Sequence, residues 1–255
     1  MKKYLIAYSL FSATIVMMIA SCTKKVSKEV AAEQTDFTNT TFMQVYNAIV
    51  NSSRNAITVD AKYVTGTPIA FGGVFPNSSA PASFSITPGF KAFYVFDTLG
   101  TTTQVPISFA ENLQAGANYT MFMYDSINSP KQKLVQNTIV VPNDTTSRLR
   151  FANFIYNSGS TVGSGFDIFS VKRNAVVFSN ITETQVTDFI PYASALTDTF
   201  YVRLNGSSTN LTNGATTILA SLTPTRLRSY TLIFRGSYRA TTGTSAKGLA
   251  TFANY

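Results

Sequence analysis

The chain has no histidine and no tryptophan, and its 255 residues include one cysteine, Cys22. These absences exclude Cys/His zinc sites, internal disulfides, Cys–His nucleophiles and Ser-His-Asp triads. Charge is sparse as well: 13% of residues are charged against 45% hydrophobic, which is neither an acidic disordered tail nor a multi-span membrane protein. A hydrolase without histidine needs paired carboxylates, a Ser-Lys pair or a metal held by oxygen alone. From residue 41 onward the acids are Asp60, Asp97, Glu111, Asp125, Asp144, Asp167, Glu183, Asp188 and Asp198, and no two follow a calcium-loop spacing. The sequence therefore yields no catalytic, metal or cofactor site.

What is present begins at the N-terminus. Lys2 and Lys3 precede an uncharged, mostly apolar stretch, Tyr4 to Ala20, which is short for a membrane span and reads as a secretory signal. It ends in Ile19-Ala20-Ser21-Cys22, which resembles the bacterial lipobox. Small residues fit the tight peptidase pocket, and the Cys22 sulfur carries the diacylglycerol. Two or three acyl chains anchor durably, at about 0.8 kcal/mol per buried CH₂. Residues 23–40 mix Lys24, Lys25 and Lys28 with Glu29, Glu33 and Asp36 and read as a solvated tether. Thr23, in place of an inner-membrane retention Asp, points to the outer membrane. The absence of an acidic patch after Cys22 favours its periplasmic face over the cell surface.

From Thr41 the chain runs in short stretches rich in Val, Ile, Thr, Tyr and Phe, broken by Gly, Pro, Asn and Ser, with no sustained helical period. Ile57-Thr58-Val59-Asp60-Ala61-Lys62-Tyr63 alternates apolar and polar, as a half-buried strand does. The pattern also repeats. Val45-Tyr46-Asn47 corresponds to Phe151-Ala152-Asn153, Val59-Asp60-Ala61 to Phe166-Asp167-Ile168, Phe93-Tyr94-Val95 to Phe200-Tyr201-Val202, and Tyr119-Thr120 to Tyr230-Thr231. The order is kept at a near-constant spacing, so the expected division is signal 1–21, lipidated Cys22 and tether 22–40, and two copies, 41–146 and 147–255. Each copy has the strand count of an immunoglobulin-like sandwich, and the fold expected is all-β with two tandem sandwich domains.

Val59-Asp60-Ala61-Lys62-Tyr63-Val64-Thr65-Gly66-Thr67-Pro68-Ile69, then Pro88-Gly89, then Leu113-Gln114-Ala115-Gly116-Ala117-Asn118-Tyr119-Thr120, resemble the signatures of the family catalogued as domain of unknown function 4397. The resemblance implies a β-sandwich in an exported bacterial protein, often in tandem, and carries no activity or catalytic residues. The second copy keeps Phe166-Asp167-Ile168-Phe169 and Tyr230-Thr231, but has Pro191-Tyr192 in place of Pro-Gly and Pro224 to Ser229 in place of the Ala-Gly turn.

Three groups of residues stand out against this scaffold. Asp60 and Asp167, read as equivalent, are either ligands or turn carboxylates that accept hydrogen bonds, and duplication favours the second. Tyr119 and Tyr230 are either sugar platforms or core tyrosines with a rim hydroxyl at a sheet corner. Asp97-Thr98-Leu99, Asp125-Ser126-Ile127 and Asp144-Thr145-Thr146 are similar to bacterial O-glycosylation acceptors; chance in a Ser- and Thr-rich chain and turn-forming Asp account for most of the pattern, with glycosylation as the alternative.

Charge separates the copies. The first has five basic and five acidic residues; the second has ten basic against four acidic, net +6. Eight of the ten are arginines. Arg148, Arg150, Arg203, Arg226, Arg228, Arg235 and Arg239 are the candidate anion-binding residues, because the guanidinium fork matches phosphate and carboxylate. Strand parity sets Arg148, Arg150, Arg203 and Arg235 opposite apolar neighbours, so all four are expected to face water. The alternative is a solvated face that keeps sheets apart. Nucleic acid is not a natural partner for an exported chain; lipopolysaccharide or an acidic glycan is. The function expected is a non-enzymatic binding or structural module of the envelope, bound to the membrane by its lipid, with no protein partner indicated. The alternatives are a surface glycan-capture lipoprotein, recognisable by an exposed aromatic platform, and a carboxylate-based hydrolase.

Overall fold

The computed structural model describes residues 38–139, 141, 143–157 and 165–254. The signal, Cys22 and most of the tether lie outside the described residues. The described part contains strands and turns but no helix. Its strands are β1 (Thr41–Asn47), β2 (Asn55–Val59), β3 (Lys62–Tyr63), β4 (Val74–Phe75), β5 (Phe84–Ile86), β6 (Gly89–Asp97), β7 (Ile107–Leu113), β8 (Asn118–Tyr124) and β9 (Lys131–Gln136). There follow β10 (Ser147–Tyr156), β11 (Phe166–Ser170), β12 (Ala175–Ile181), β13 (Ile190–Tyr192), β14 (Asp198–Leu204), β15 (Thr212–Asn213), β16 (Thr216–Thr217), β17 (Leu219–Leu222), β18 (Ser229–Ser237) and β19 (Gly248–Ala253).

Four sheets and one short ribbon result, none closed into a barrel. One sheet runs β4-β1-β8-β9, with β5 also on β1; another runs β3-β2-β6-β7; the remaining two run β13-β10-β18-β19 and β12-β11-β14-β17. Pairing between these strands is antiparallel except for β1 with β8 and β10 with β18. Those two parallel registers correspond residue by residue. Met43 faces Tyr119 as Leu149 faces Tyr230, and Val45 faces Met121 as Phe151 faces Leu232.

Side-chain alternation explains how the sheets stack. On β1 and β8, Met43, Val45, Tyr119, Met121 and Met123 join Ile57, Val59, Phe93 and Val95 of β2 and β6 in one core. On β10 and β18, Leu149, Phe151, Ile155, Leu232 and Phe234 join Phe166, Ile168, Phe200 and Val202 in a second. The intervening residues of the same inner strands, Tyr46, Phe122, Ala152, Phe154 and Ile233, meet Phe252 in a third. Both faces of the two inner sheets are therefore buried, and the layers run outer, inner, inner, outer. Asp36–Tyr255 accordingly forms one compact unit.

A polar stripe crosses the seam between the inner sheets. Arg150, only 2% exposed, donates from Nε to Thr231 Oγ1 (2.9 Å), from Nη1 to Asn137 Oδ1 (2.8 Å) and from Nη2 to Thr120 Oγ1 (3.1 Å). Gln44 Nε2 donates to the carbonyls of Ala82 (2.8 Å) and Ala253 (2.9 Å), and Asn254 Nδ2 donates to Gln44 Oε1 (3.1 Å). Counting through the parallel registers, Gln44 is the counterpart of Arg150. The third core and this stripe together hold the inner sheets face to face.

Candidate functional site: an aromatic face and the second-half arginines

The carboxylates are scaffold groups. Asp60 closes the turn after β2, where Oδ1 accepts the Ala92 amide (3.0 Å) and Oδ2 accepts Lys91 Nζ (3.0 Å); the amide bond is the main cause holding its pKa below the usual carboxylate range. Asp167 lies inside β11 and accepts the Asn180 amide (2.7 Å), Asn205 Nδ2 (2.9 Å) and the Gly206 amide (2.9 Å). Burial acts to raise its pKa, and these donors outweigh burial and lower it.

The expected equivalence of Asp60 and Asp167 is corrected by the strand registers. Ile57 faces Val95 and Ile168 faces Val202, so Asp60 corresponds to Val171 and Asp167 to Ala56. The acid that matters locally in the second half is Asp198, which single-chain matching missed. It is 2% exposed and accepts Ser170 Oγ (2.5 Å), the amides of Lys172 (2.9 Å) and Thr199 (2.7 Å), and the Tyr192 hydroxyl. It stands where the first half has Lys91. Among the described residues no three acids gather as metal ligands would.

Tyr119 and Tyr230 take the corner role. The Tyr119 hydroxyl accepts the Gln114 amide (3.2 Å) and the Tyr230 hydroxyl the Thr225 amide (3.0 Å), each five residues upstream, while the rings pack against their cores. This hydroxyl-to-upstream-backbone bond is the tyrosine-corner geometry of sandwich folds.

The arginines do not form one solvated face. Arg150 is buried in the seam, contrary to the expectation from parity, because the face opposite Leu149 and Phe151 is covered by the first inner sheet. Burial pushes its pKa down to about 9, with the Asp188 charge acting the other way. Arg235 is also drawn into the seam, its guanidinium 4.5 Å from the Phe71 ring and against Gly72, with a buried Nε. Arg203 stacks 3.6 Å over Phe169 and donates to Asn210 Oδ1 (2.7 Å). Arg148 is half-buried and donates from Nη1 to Thr146 Oγ1 (2.7 Å). Arg226, Arg228 and Arg239 are exposed. The Arg226–Arg228 turn adjoins Arg148, whose amide donates to the Arg228 carbonyl (2.8 Å), and Arg148 and Arg150 lie two residues apart on β10.

The exposed chemistry lies in the first half. On β6, Phe93 and Val95 enter the core, so Phe90, Ala92, Tyr94 and Phe96 stand on the opposite, outer face. Phe90 is 74%, Tyr94 42% and the neighbouring Tyr63 68% exposed. Phe96 sits between the two tyrosines, its ring centroid 5.3 Å from Tyr94 and 6.1 Å from Tyr63. Across the sheet Tyr94 is flanked by Thr58 and Ser108, Ala92 by Ala110, and Phe90 by Asn112. The result is a face with aromatic groups at both ends of a small-residue floor, bordered beside Ala92 by the Asp60–Lys91 ion pair. Phe90 and Tyr94 are about 13 Å apart along the strand at the usual rise per residue.

Comparison with known proteins adds no relative: no family model and no curated protein sequence matches the chain. Among the described residues no helix is long and apolar enough to cross a membrane.

Proposed function

We propose that this chain is a lipid-anchored lipoprotein of the bacterial outer membrane that captures glycan, without catalysis, on the outer aromatic face of its first half. In this reading two tandem immunoglobulin-like sandwiches, related by duplication, sit beyond the Cys22 anchor and the tether. The corner tyrosines and the matching parallel registers support that division. The lipobox-like Ile19-Ala20-Ser21-Cys22 and the resemblance to exported tandem domains support the location, with the periplasmic face favoured by the lysines after the anchor.

One observation carries the ligand class. Where β6 presents Phe90, Ala92, Tyr94 and Phe96, the matched positions on β14 and just before it are Thr197, Thr199, Tyr201 and Arg203. The second half forms the same sheet with Tyr201 as the one ring of that row, so the rings of Phe90 and Phe96 are not a requirement of the scaffold. Exposed rings over a small-residue floor offer apolar faces to the C–H side of a sugar, and the exposed Ser108 and Asn112 lie beside them as partners for its hydroxyls. Binding of acidic envelope polymer by the second half retains Arg148, Arg226 and Arg228 at one end of that half.

Three measurements test the proposal. The chain has no tryptophan, so its emission comes from its 13 tyrosines; neutral envelope polysaccharide should change that emission, and the change should disappear in Tyr63→Phe with Tyr94→Phe. Phe90→Thr, which copies Thr197 of the second half, combined with Tyr94→Thr should lower retention on the polysaccharide at least tenfold while unfolding shifts by no more than about 0.5 kcal/mol, as for exposed substitutions. Unchanged retention would refute glycan capture. Mass spectrometry of the mature N-terminus should find diacylglyceryl-modified Cys22, and an unmodified residue there overturns the anchor.

A further inference from the structure

A cleft of about 410 Å³ opens at the edge of the seam, where the end of β9 and the start of β10 meet the segment before β13. Its lining includes Gln136, Arg148, Arg150, Thr187, Asp188 and Phe189. Arg150 reaches it from the interior, with its guanidinium carbon 4.6 Å from the Phe189 ring centroid. Its three protein bonds go to neutral oxygens, and two of its five N–H groups have no acceptor among the described residues. The ion pairs among the described residues are Arg54–Asp97, Lys91–Asp60 and Lys131–Asp125, so the most buried cation has no counter-charge in contact. Burying an unpaired charge is costly, and the first half meets the same seam position with the neutral Gln44. A charge kept at such cost beside an open cleft points to something that uses it.

Arg148, two residues away on the same face of β10, contributes a second cation to the lining. Nη1 is held by Thr146 Oγ1 and the Ser147 carbonyl (3.2 Å), which leaves other N–H groups for a ligand. Thr187 and Gln136 add neutral polar groups. Asp188 is the opposing charge in the lining and is exposed; with it, the cleft carries a net single positive charge. A cleft of this volume accommodates a small ligand with a few convergent polar groups.

We propose that the seam cleft binds an anionic group of monosaccharide size, a carboxylate or a phosphate, with Arg150 at its inner end and Arg148 at its side. This site is separate from the aromatic face and does not rest on glycan capture there. The guanidinium forks fit planar carboxylate and tetrahedral phosphate alike, and the Phe189 wall suits the apolar face of a ring.

The test uses the full chain in detergent, titrated with glucuronate, inorganic phosphate and, as the neutral control, glucose, followed by NMR or calorimetry. Glucuronate or phosphate should bind and glucose should not; whichever anion binds more tightly identifies the source of the oxyanion. Arg148→Gln should weaken binding about tenfold, the loss of one charge-assisted hydrogen bond. Asp188→Asn, which removes the repelling carboxylate, should strengthen it about threefold, and both variants leave the Arg150 hydrogen bonds in place. Arg150→Gln, if folded, should abolish binding. No binding of either anion at tens of millimolar, glucose binding as well as glucuronate, or weakening by Asp188→Asn would each overturn the proposal.

Discussion

The two halves use one arrangement of strands for opposite ends. At the seam the first half contributes a neutral amide, Gln44, and the second a guanidinium, Arg150; on the outer sheets the first half exposes rings and the second hydroxyls. Thr197 and Thr223 share a hydrogen bond (2.7 Å), as do Thr199 and Ser221 (3.2 Å), so the second outer face satisfies its polar groups within itself. The registers that shape the cores are shared, whereas the positions outside them differ. Residues that differ at matched positions without disturbing the sheet are therefore the places to look for function.

The sharpest way to break this comparison is at the seam. Arg150→Ala should destabilise the protein by about 3 kcal/mol, because Thr231, Asn137 and Thr120 each lose a buried partner, whereas Gln44→Ala should cost about 2 kcal/mol. Denaturant unfolding measures both. If Arg150→Ala is the milder change, the buried charge is a net burden rather than a tie between sheets.

A second contrast lies at Tyr192, whose first-half counterpart on the strand that pairs with the inner edge is Ile86. Burial, then the hydrogen bond to Asp198, pushes the Tyr192 hydroxyl up to about 12, and burial pushes Tyr46 up to about 12 as well. In each case the folded pKa exceeds the ordinary 10.0, so the folded state favours the protonated phenol. That contribution is fully present below pH 10 and is lost as pH rises toward 12. Tyr192→Phe should reduce the alkaline loss of stability between pH 10 and 12 by about 2 to 3 kcal/mol relative to the unsubstituted chain, from two pKa units at 1.36 kcal/mol each. Parallel pH profiles would show that Tyr192 titrates as it does in the unfolded chain.

The smallest expected effect is at the corners. Tyr119→Phe and Tyr230→Phe each remove one hydrogen bond to a backbone amide and should cost about 1 kcal/mol. The first should cost more, since Tyr119 is buried and Tyr230 only partly so. A cost near zero at both sites would mean that the corner bonds do not hold the sheets.

Much of this was legible in the residues, and the misreadings have a common cause. Alternation correctly set Arg148 and Arg150 on the face opposite Leu149 and Phe151. It is silent on whether another sheet covers that face. The available signal was in Tyr119-Thr120-Met121-Phe122-Met123-Tyr124 and Tyr230-Thr231-Leu232-Ile233-Phe234, which are apolar on both faces, as strands buried on both sides are. Short motifs align Asp60 with Asp167 on identity, whereas the sheet aligns Ile57 with Ile168. The aromatic row was spelled out in Phe90, Tyr94 and Phe96, but its exposure emerges only once the core has taken Phe93 and Val95.

The hydrogen bond from Asn254 to Gln44 spans 210 residues of sequence. Each half also closes through its parallel pair, β1 with β8 and β10 with β18, rather than through neighbouring hairpins alone. Contacts so distant along the chain form slowly, because loop closure must precede their reward. A chain delivered N-terminus first can build its first core once β9 has emerged, yet the inner face of that half, with Tyr46 and Phe122, stays uncovered until β18 and β19 arrive. The interval between those events is a window of stickiness, and a chain with this architecture needs a chaperone or rapid completion to cross it.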